Sequence, residues 1–169
     1  MKALVFNGPR DVRYESYSDP ELATDNSVIV KVERCSICGS DLHMYHGDSI
    51  GNANYSEGVE PFCVGHEFAG EVVEVGKAVY RHKVGQRVLA SGGAPCGRCK
   101  HCLSGHTALC DHWTAFGLSK GLNGGQAEFV NVPMADLTLQ PIPEGVSDEQ
   151  SILLTDAMFP FDFSVAYAV

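Results

Sequence analysis

Apolar residues in this chain fall into short runs that are punctuated rather than helically periodic. Segments 3–6, 12–17, 28–32, 68–75, 87–89, 127–132 and 137–141 are β-branched or aromatic and bounded by Gly, Pro, Asn or Asp, which predicts strands. Most of the intervals between them lack a helical period, which argues for a barrel or sandwich rather than alternating βαβ units. Two short helices are predicted. One covers 40–46, where a Ser or Asp can cap. The other follows Ser147, where Ser147-Asp148-Glu149-Gln150 forms a capping-box pattern ahead of Ile152-Leu153-Leu154 and the helix carries Asp156. Stretches 47–60 and 92–111 read as excursions from the β core.

Composition narrows the class. With 169 residues and 44% hydrophobic content, the chain can bury one core, and one domain is the natural reading. Net charge is −9 and no run of Lys or Arg exceeds a local pair, so nucleic acid and anionic membranes are not expected partners. The apolar stretch after Lys2 has four residues, far short of a signal-peptide core of about 7–15 or a membrane span of about 20. A cytoplasmic protein is expected. Seven cysteines in a reducing compartment point to metal rather than disulfides.

Four of the seven decide the chemistry. Cys96, Cys99, Cys102 and Cys110 follow the spacing C-x2-C-x2-C-x7-C, which lets four thiolates meet at one tetrahedral zinc with no position left open. Such a zinc is structural, and Gly97 and Gly105 allow the tight turns between ligands. An iron–sulfur cluster is the rival for this donor set. His101, His106 and His112 are expected to lie exposed outside it.

A second set of possible ligands lies upstream. Cys38 opens Cys38-Gly39-Ser40-Asp41-Leu42-His43, and Gly65-His66-Glu67-Phe68-Ala69-Gly70 begins a G-H-E-x2-G-x5-G-x2-V string ending at Gly76 and Val79. This is not the H-E-x-x-H of a metalloprotease, because position 70 is Gly. With the four-cysteine lobe and Gly125-Gln126-Ala127-Glu128-Phe129, these strings resemble the zinc-dependent medium-chain alcohol dehydrogenases from about Met1 to Met158. The resemblance implies a mainly β, GroES-like barrel over 1–158, with a structural zinc lobe at 92–111.

The same resemblance implies roles. Cys38, His66 and Asp156 match the three protein ligands of a catalytic zinc, with Asp156 standing where many relatives use Cys. Glu67 matches the acidic neighbour that coordinates transiently, and Asp41 the carboxylate that orients the His66 imidazole. Ser40 and His43 match a proton relay. A zinc with an open position acidifies a bound alcohol as it does water, so the implied reaction is oxidation of an alcohol or polyol, or the reverse on a carbonyl substrate, with hydride passing to NAD or NADP. Two zincs per chain are expected. Cys35 reads as a packing residue and Cys63 as a possible cleft residue. Trp113 and Phe116 read as seating the lobe on the barrel.

The pattern then breaks. None of the 18 glycines is separated from another by a single residue, so the dinucleotide fingerprint is missing. From Phe159 to Val169 the sequence is aromatic, interrupted by Pro160, and unlike the family. A divergent tail at 159–169, from a frameshift or premature stop after Met158, is the working expectation, and the encoding DNA read one base out of frame tests it. The expected activity is that of a catalytic domain without its cofactor domain, weak or absent unless a separate Rossmann subunit joins it. The alternative is a zinc-binding scaffolding module without catalysis. Barrel edges left uncovered predict a homodimer or larger assembly; light scattering at tens of micromolar should return at least twice the chain mass, and a monomer contradicts it.

Overall fold

A computed structural model describes residues 1–50, 54–55, 60–118 and 121–156. The expected tail, 159–169, lies outside the described residues. The first strand, β1 (Lys2–Gly8), turns back into β2 (Asp11–Ser16) and carries the short β4 (Phe62–Cys63) on its other side. The larger sheet contains β3 (Val28–Cys35), β5 (Phe68–Val75), β6 (Arg87–Ala90), β9 (Phe129–Val132) and β10 (Leu139–Pro141), in the order β10-β6-β5-β3-β9. Every pairing is antiparallel. The backbone of β1 then meets the chain leading into β9: the Leu4 N–H donates to the Gln126 carbonyl at 2.8 Å and the Glu128 N–H to the Lys2 carbonyl at 3.0 Å. That stitch joins the two sheets, as a closed barrel requires.

Alternation drives the packing. Val28 and Val30 of β3, Phe68 and Val72 of β5, Val88 of β6 and Val130 and Val132 of β9 share one buried cluster, as period-2 side chains on one face must. Each such burial contributes about 1.5–3 kcal/mol. A second cluster of Phe6, Met44, Tyr55, Phe62 and Val64 seats the helix α1 (Gly39–His46) against β1 and β4.

Several boundaries differ from the sequence expectation. The strand within 127–132 begins only at Phe129; just before it, Glu128 bridges two strands, donating its N–H to the Lys2 carbonyl of β1 and accepting at its carbonyl from the Val32 N–H of β3. The run 137–141 starts inside the helical turn α3 (Ala135–Thr138), and the two-residue strands β4, β7 (Gly93–Ala94) and β8 (Thr114–Ala115) were not foreseen. Ser40 does not cap α1. Cys38 is the N-cap residue, and its backbone N–H donates to Asp41 Oδ2 at 2.8 Å. The capping box at Ser147 and Gln150 is present, but the α-helix stops at Ser151, a 3-10 turn covers Ile152–Leu154, and Asp156 lies in the turn beyond. Leu153 and Leu154 are exposed and only Ile152 packs on the core, so no apolar stripe extends the helix.

The strand glycines are there for contact. A Cβ on Gly70 would sit 2.0 Å from the Lys31 carbonyl oxygen, and one on Gly76 2.4 Å from that of Asp25. Gly85, in contrast, faces open space at φ +82°. Gly70→Ala should therefore destabilise by at least about 3 kcal/mol. Gly85→Ala should cost only the left-handed penalty of about 1–2 kcal/mol. Urea unfolding of the two variants should separate them clearly.

Candidate metal centres

The pairing of β3 with β5 builds the first centre. Cys35 stands opposite Phe68, so the chain leaving β3 and the chain entering β5 emerge at the same sheet end. Ser36 extends the pairing by donating its N–H to the Glu67 carbonyl at 3.2 Å. Two residues on, Cys38 starts α1; on the other strand Gly65, at φ +96°, makes the turn that presents His66 and Glu67.

Cys38, His66, Glu67 and Asp156 each bring one ligand atom within 4.8 Å of all the others. Asp156 Oδ2 lies 3.4 Å from Cys38 Sγ and 3.5 Å from His66 Nε2. His66 and Glu67 are each only 5% exposed. A thiolate and two carboxylates crowded into a half-buried spot repel one another, and a divalent cation held by them and by the neutral imidazole would offset that repulsion.

The imidazole is oriented from behind. Asp41 Oδ1 faces His66 Nδ1 at 3.6 Å, and both atoms are buried without a hydrogen bond, which leaves Nε2 aimed at the cluster. Burial pulls the His66 pKa down, but the facing Asp41 and Cys38 outweigh it and raise it to about 9. Those acceptors stabilise positive charge in the cluster, and a metal ion binding His66 Nε2 would take the place of the proton there. Ser40 Oγ lies 3.3 Å from His66 Nε2, so this hydroxyl is at the cluster. His43 points its Nδ1 to Asp48 Oδ2 at 3.1 Å, with an exposed side chain.

The second centre is local. Cys99 is the N-cap residue of α2 (Lys100–Leu103), Cys102 lies within that turn, and Cys110 follows the 3-10 turn Thr107–Leu109. With Cys96 they form a four-sulfur group whose ligand atoms all lie within 4.8 Å of one another. The Cys99 sulfur is 3.5 Å from that of Cys102 and 3.9 Å from that of Cys110. None of the seven cysteines is in a disulfide. The N–H groups of Cys96 and His112 donate to Cys110 Sγ at 3.2 and 3.3 Å, and backbone N–H groups, first that of Cys102 and then that of Asp111, bring the Cys99 thiol down to about 6. Amides aimed at sulfur are what thiolate ligands require. His106 and His112 are exposed, and His101 faces Asp111 at 3.7 Å.

Both centres therefore fit zinc. A model of the alcohol dehydrogenase GroES-like domain matches residues 24–144. The chain belongs to that family. It is 42% identical to a medium chain reductase/dehydrogenase of an Acremonium species over 96% of this chain and 53% of the relative. It is 36% identical to the zinc-type alcohol dehydrogenase B of Aspergillus flavus over 98% of this chain and 37% of that protein. An alcohol dehydrogenase structure from a Thermus species superposes with a TM-score of 0.83 at 31% identity, covering 94% of this chain and 44% of the other. The chain thus spans about half the length, or less, of the curated relatives it matches.

Next to the first centre of this GroES-like domain is a cavity of about 550 Å³, lined by Ser40, His66 and Asp156 and by Trp113, Leu118 and Leu137 among others. Trp113 therefore faces the cavity, where the sequence suggested only a seat for the lobe. Phe116 does that seating, fully buried edge-on to Phe68 at 5.1 Å. Cys35 is exposed rather than packed, and Cys63 is buried beside Ala3 and Val5 rather than in the cleft. Burial pushes the Cys63 thiol up to about 12. Alkylation of the zinc-loaded chain at pH 8 should label Cys35 and spare Cys63, and a chelator should add the five cluster cysteines; peptide mass spectrometry reads the order.

Proposed function

We propose that this domain is the zinc-bearing catalytic part of an alcohol or polyol dehydrogenase, with Cys38, His66 and Asp156 holding a catalytic zinc and Cys96, Cys99, Cys102 and Cys110 a structural one. The observation that carries this reading is the convergence of Cys38, His66, Glu67 and Asp156 within 4.8 Å beside a cavity of about 550 Å³. A zinc held there by Cys38, His66 and Asp156 would supply Lewis-acid activation of an alcohol or carbonyl oxygen.

The chain's own residues do the rest. Apolar walls at Leu118, Leu137 and Trp113 hold the carbon skeleton of a small alcohol and exclude water. Ser40 Oγ, 3.3 Å from His66 Nε2 and on the cavity lining, is placed to receive the substrate hydroxyl proton. His43 lies one turn further along the exposed face of α1 and passes the proton to solvent; Asp48 holds its Nδ1. Asp41 keeps His66 turned toward the cluster.

NAD or NADP is the hydride acceptor the family implies. These 169 residues contain no G-x-G and so no pyrophosphate loop of the Rossmann type; they do not fit the dinucleotide. Hydride transfer is assigned to the activity of the whole protein, together with a separate or attached Rossmann unit.

Zinc counting tests the assignment. The full chain should carry two zincs by elemental analysis, Cys38→Ser or Asp156→Asn should lower the count to one, and Cys99→Ser should remove the other and lower the melting temperature. A wild-type count of one contradicts the catalytic centre. Equilibrium dialysis against NADH should find no tight binding by this chain alone.

A further inference from the structure

One polar side chain at the first centre has no part in the reading above. Ser36, two residues before Cys38, donates its hydroxyl to Glu67 Oε2. Its backbone is fixed on both sides: the N–H donates to the Glu67 carbonyl at 3.2 Å, and the carbonyl accepts from the Gln126 side-chain amide at 3.0 Å. Gln126 is itself buried and lies against Gly65, where a Cβ would come within 2.4 Å of its Cγ. Ser36 thus has little freedom to move, and neither has the carboxylate it holds. Glu67 in turn brings a ligand atom within 4.8 Å of Cys38, His66 and Asp156.

We propose that Ser36 is a positioning residue for the metal: its hydroxyl sets the orientation of Glu67 and so holds that carboxylate within reach of the metal that Cys38, His66 and Asp156 bind. The inference rests on the zinc reading of Cys38, His66 and Asp156. A hydroxyl bonded to a carboxylate is a charge-assisted contact, shorter and stronger than a neutral one. Groups that orient metal donors from behind typically govern about 10- to 100-fold in metal affinity. Ser36 works through one oxygen of Glu67, which leaves the other free for the metal. The arrangement also explains why a glutamate that is 5% exposed is stable beside a thiol and a second carboxylate.

The test is a chelator titration of the zinc-loaded full chain, with released zinc read by a chromophoric dye. Wild type should lose its two zincs in separate phases, and Cys38→Ser identifies the phase of the first centre. Ser36→Ala should move that phase to about 10- to 100-fold lower chelator and leave the four-cysteine phase where it is. Ser36→Thr, which keeps the hydroxyl, should restore the wild-type position. Ser36→Ala should have no further effect in a Glu67→Gln background, because the hydroxyl acts only through that carboxylate. An unshifted phase, equal weakening of both centres, or a Ser36 effect that persists without Glu67 each overturns the proposal. A wild-type chain with a single zinc overturns the underlying zinc reading and this proposal with it, whereas two zincs and no Ser36 effect overturn this proposal alone.

Discussion

The antiparallel pairing of β3 with β5 is the constraint from which the first centre follows. Seven residues of β3 have partners along β5, from Val28 opposite Val75 to Cys35 opposite Phe68. A one-residue slip would turn the valines of both strands away from the core. The same slip would separate Cys38 from His66, because both sit just beyond the paired end. Gly70 reinforces the register, since only a residue without Cβ lets β5 approach the Lys31 carbonyl. Fold and site are therefore coupled by one ladder.

The two centres differ in what they ask of the chain. The four-cysteine group is closed within 96–110 and organises its own surroundings, with amides aimed at the sulfurs and turns at Gly97 and Gly105 that both take positive φ. Metal binding there is folding energy for a loop with little core of its own. The first centre draws on the end of β3, the turn before β5 and the segment after α4 (Asp148–Ser151). That segment is held by surface ion pairs, Arg34 with Glu149 and Arg87 with Asp148, and by Ile152 against Ala69 and Leu89. Exposed pairs of this kind contribute little singly, so Asp156 is the member of the cluster with the weakest mechanical support. The centre gains the open cavity that the closed lobe lacks.

Much of this was legible in the residues. The strands of the larger sheet carry alternating β-branched side chains that no other element explains, and the C-x2-C-x2-C-x7-C spacing fits one metal whatever surrounds it. The unforeseen strands at 62–63, 93–94 and 114–115 are two residues long, too short for period-2 alternation to register. Cys35 looked like a packing residue because it lies in a strand-like run, yet β3 outlasts its apolar face and ends exposed. Trp113 next to the lobe read as packing, and only folding turns it toward the cavity. Ser36 left no signal, since a serine before a ligand has no pattern of its own.

The sequence by itself determined the local chemistry: a closed four-thiolate lobe, strands of one period, a helix start at Ser147, and a family resemblance carried by the strings at Cys38 and Gly65. Those are properties of neighbours along the chain, where spacing alone decides which atoms can meet. Only the tertiary structure decided that Cys38, His66, Glu67 and Asp156 share a cluster, that Ser36 reaches Glu67, and that Trp113 closes one side of the cavity. Residues far apart in the chain meet only when strand register and sheet closure bring them together, and those are set by the packing of the whole core.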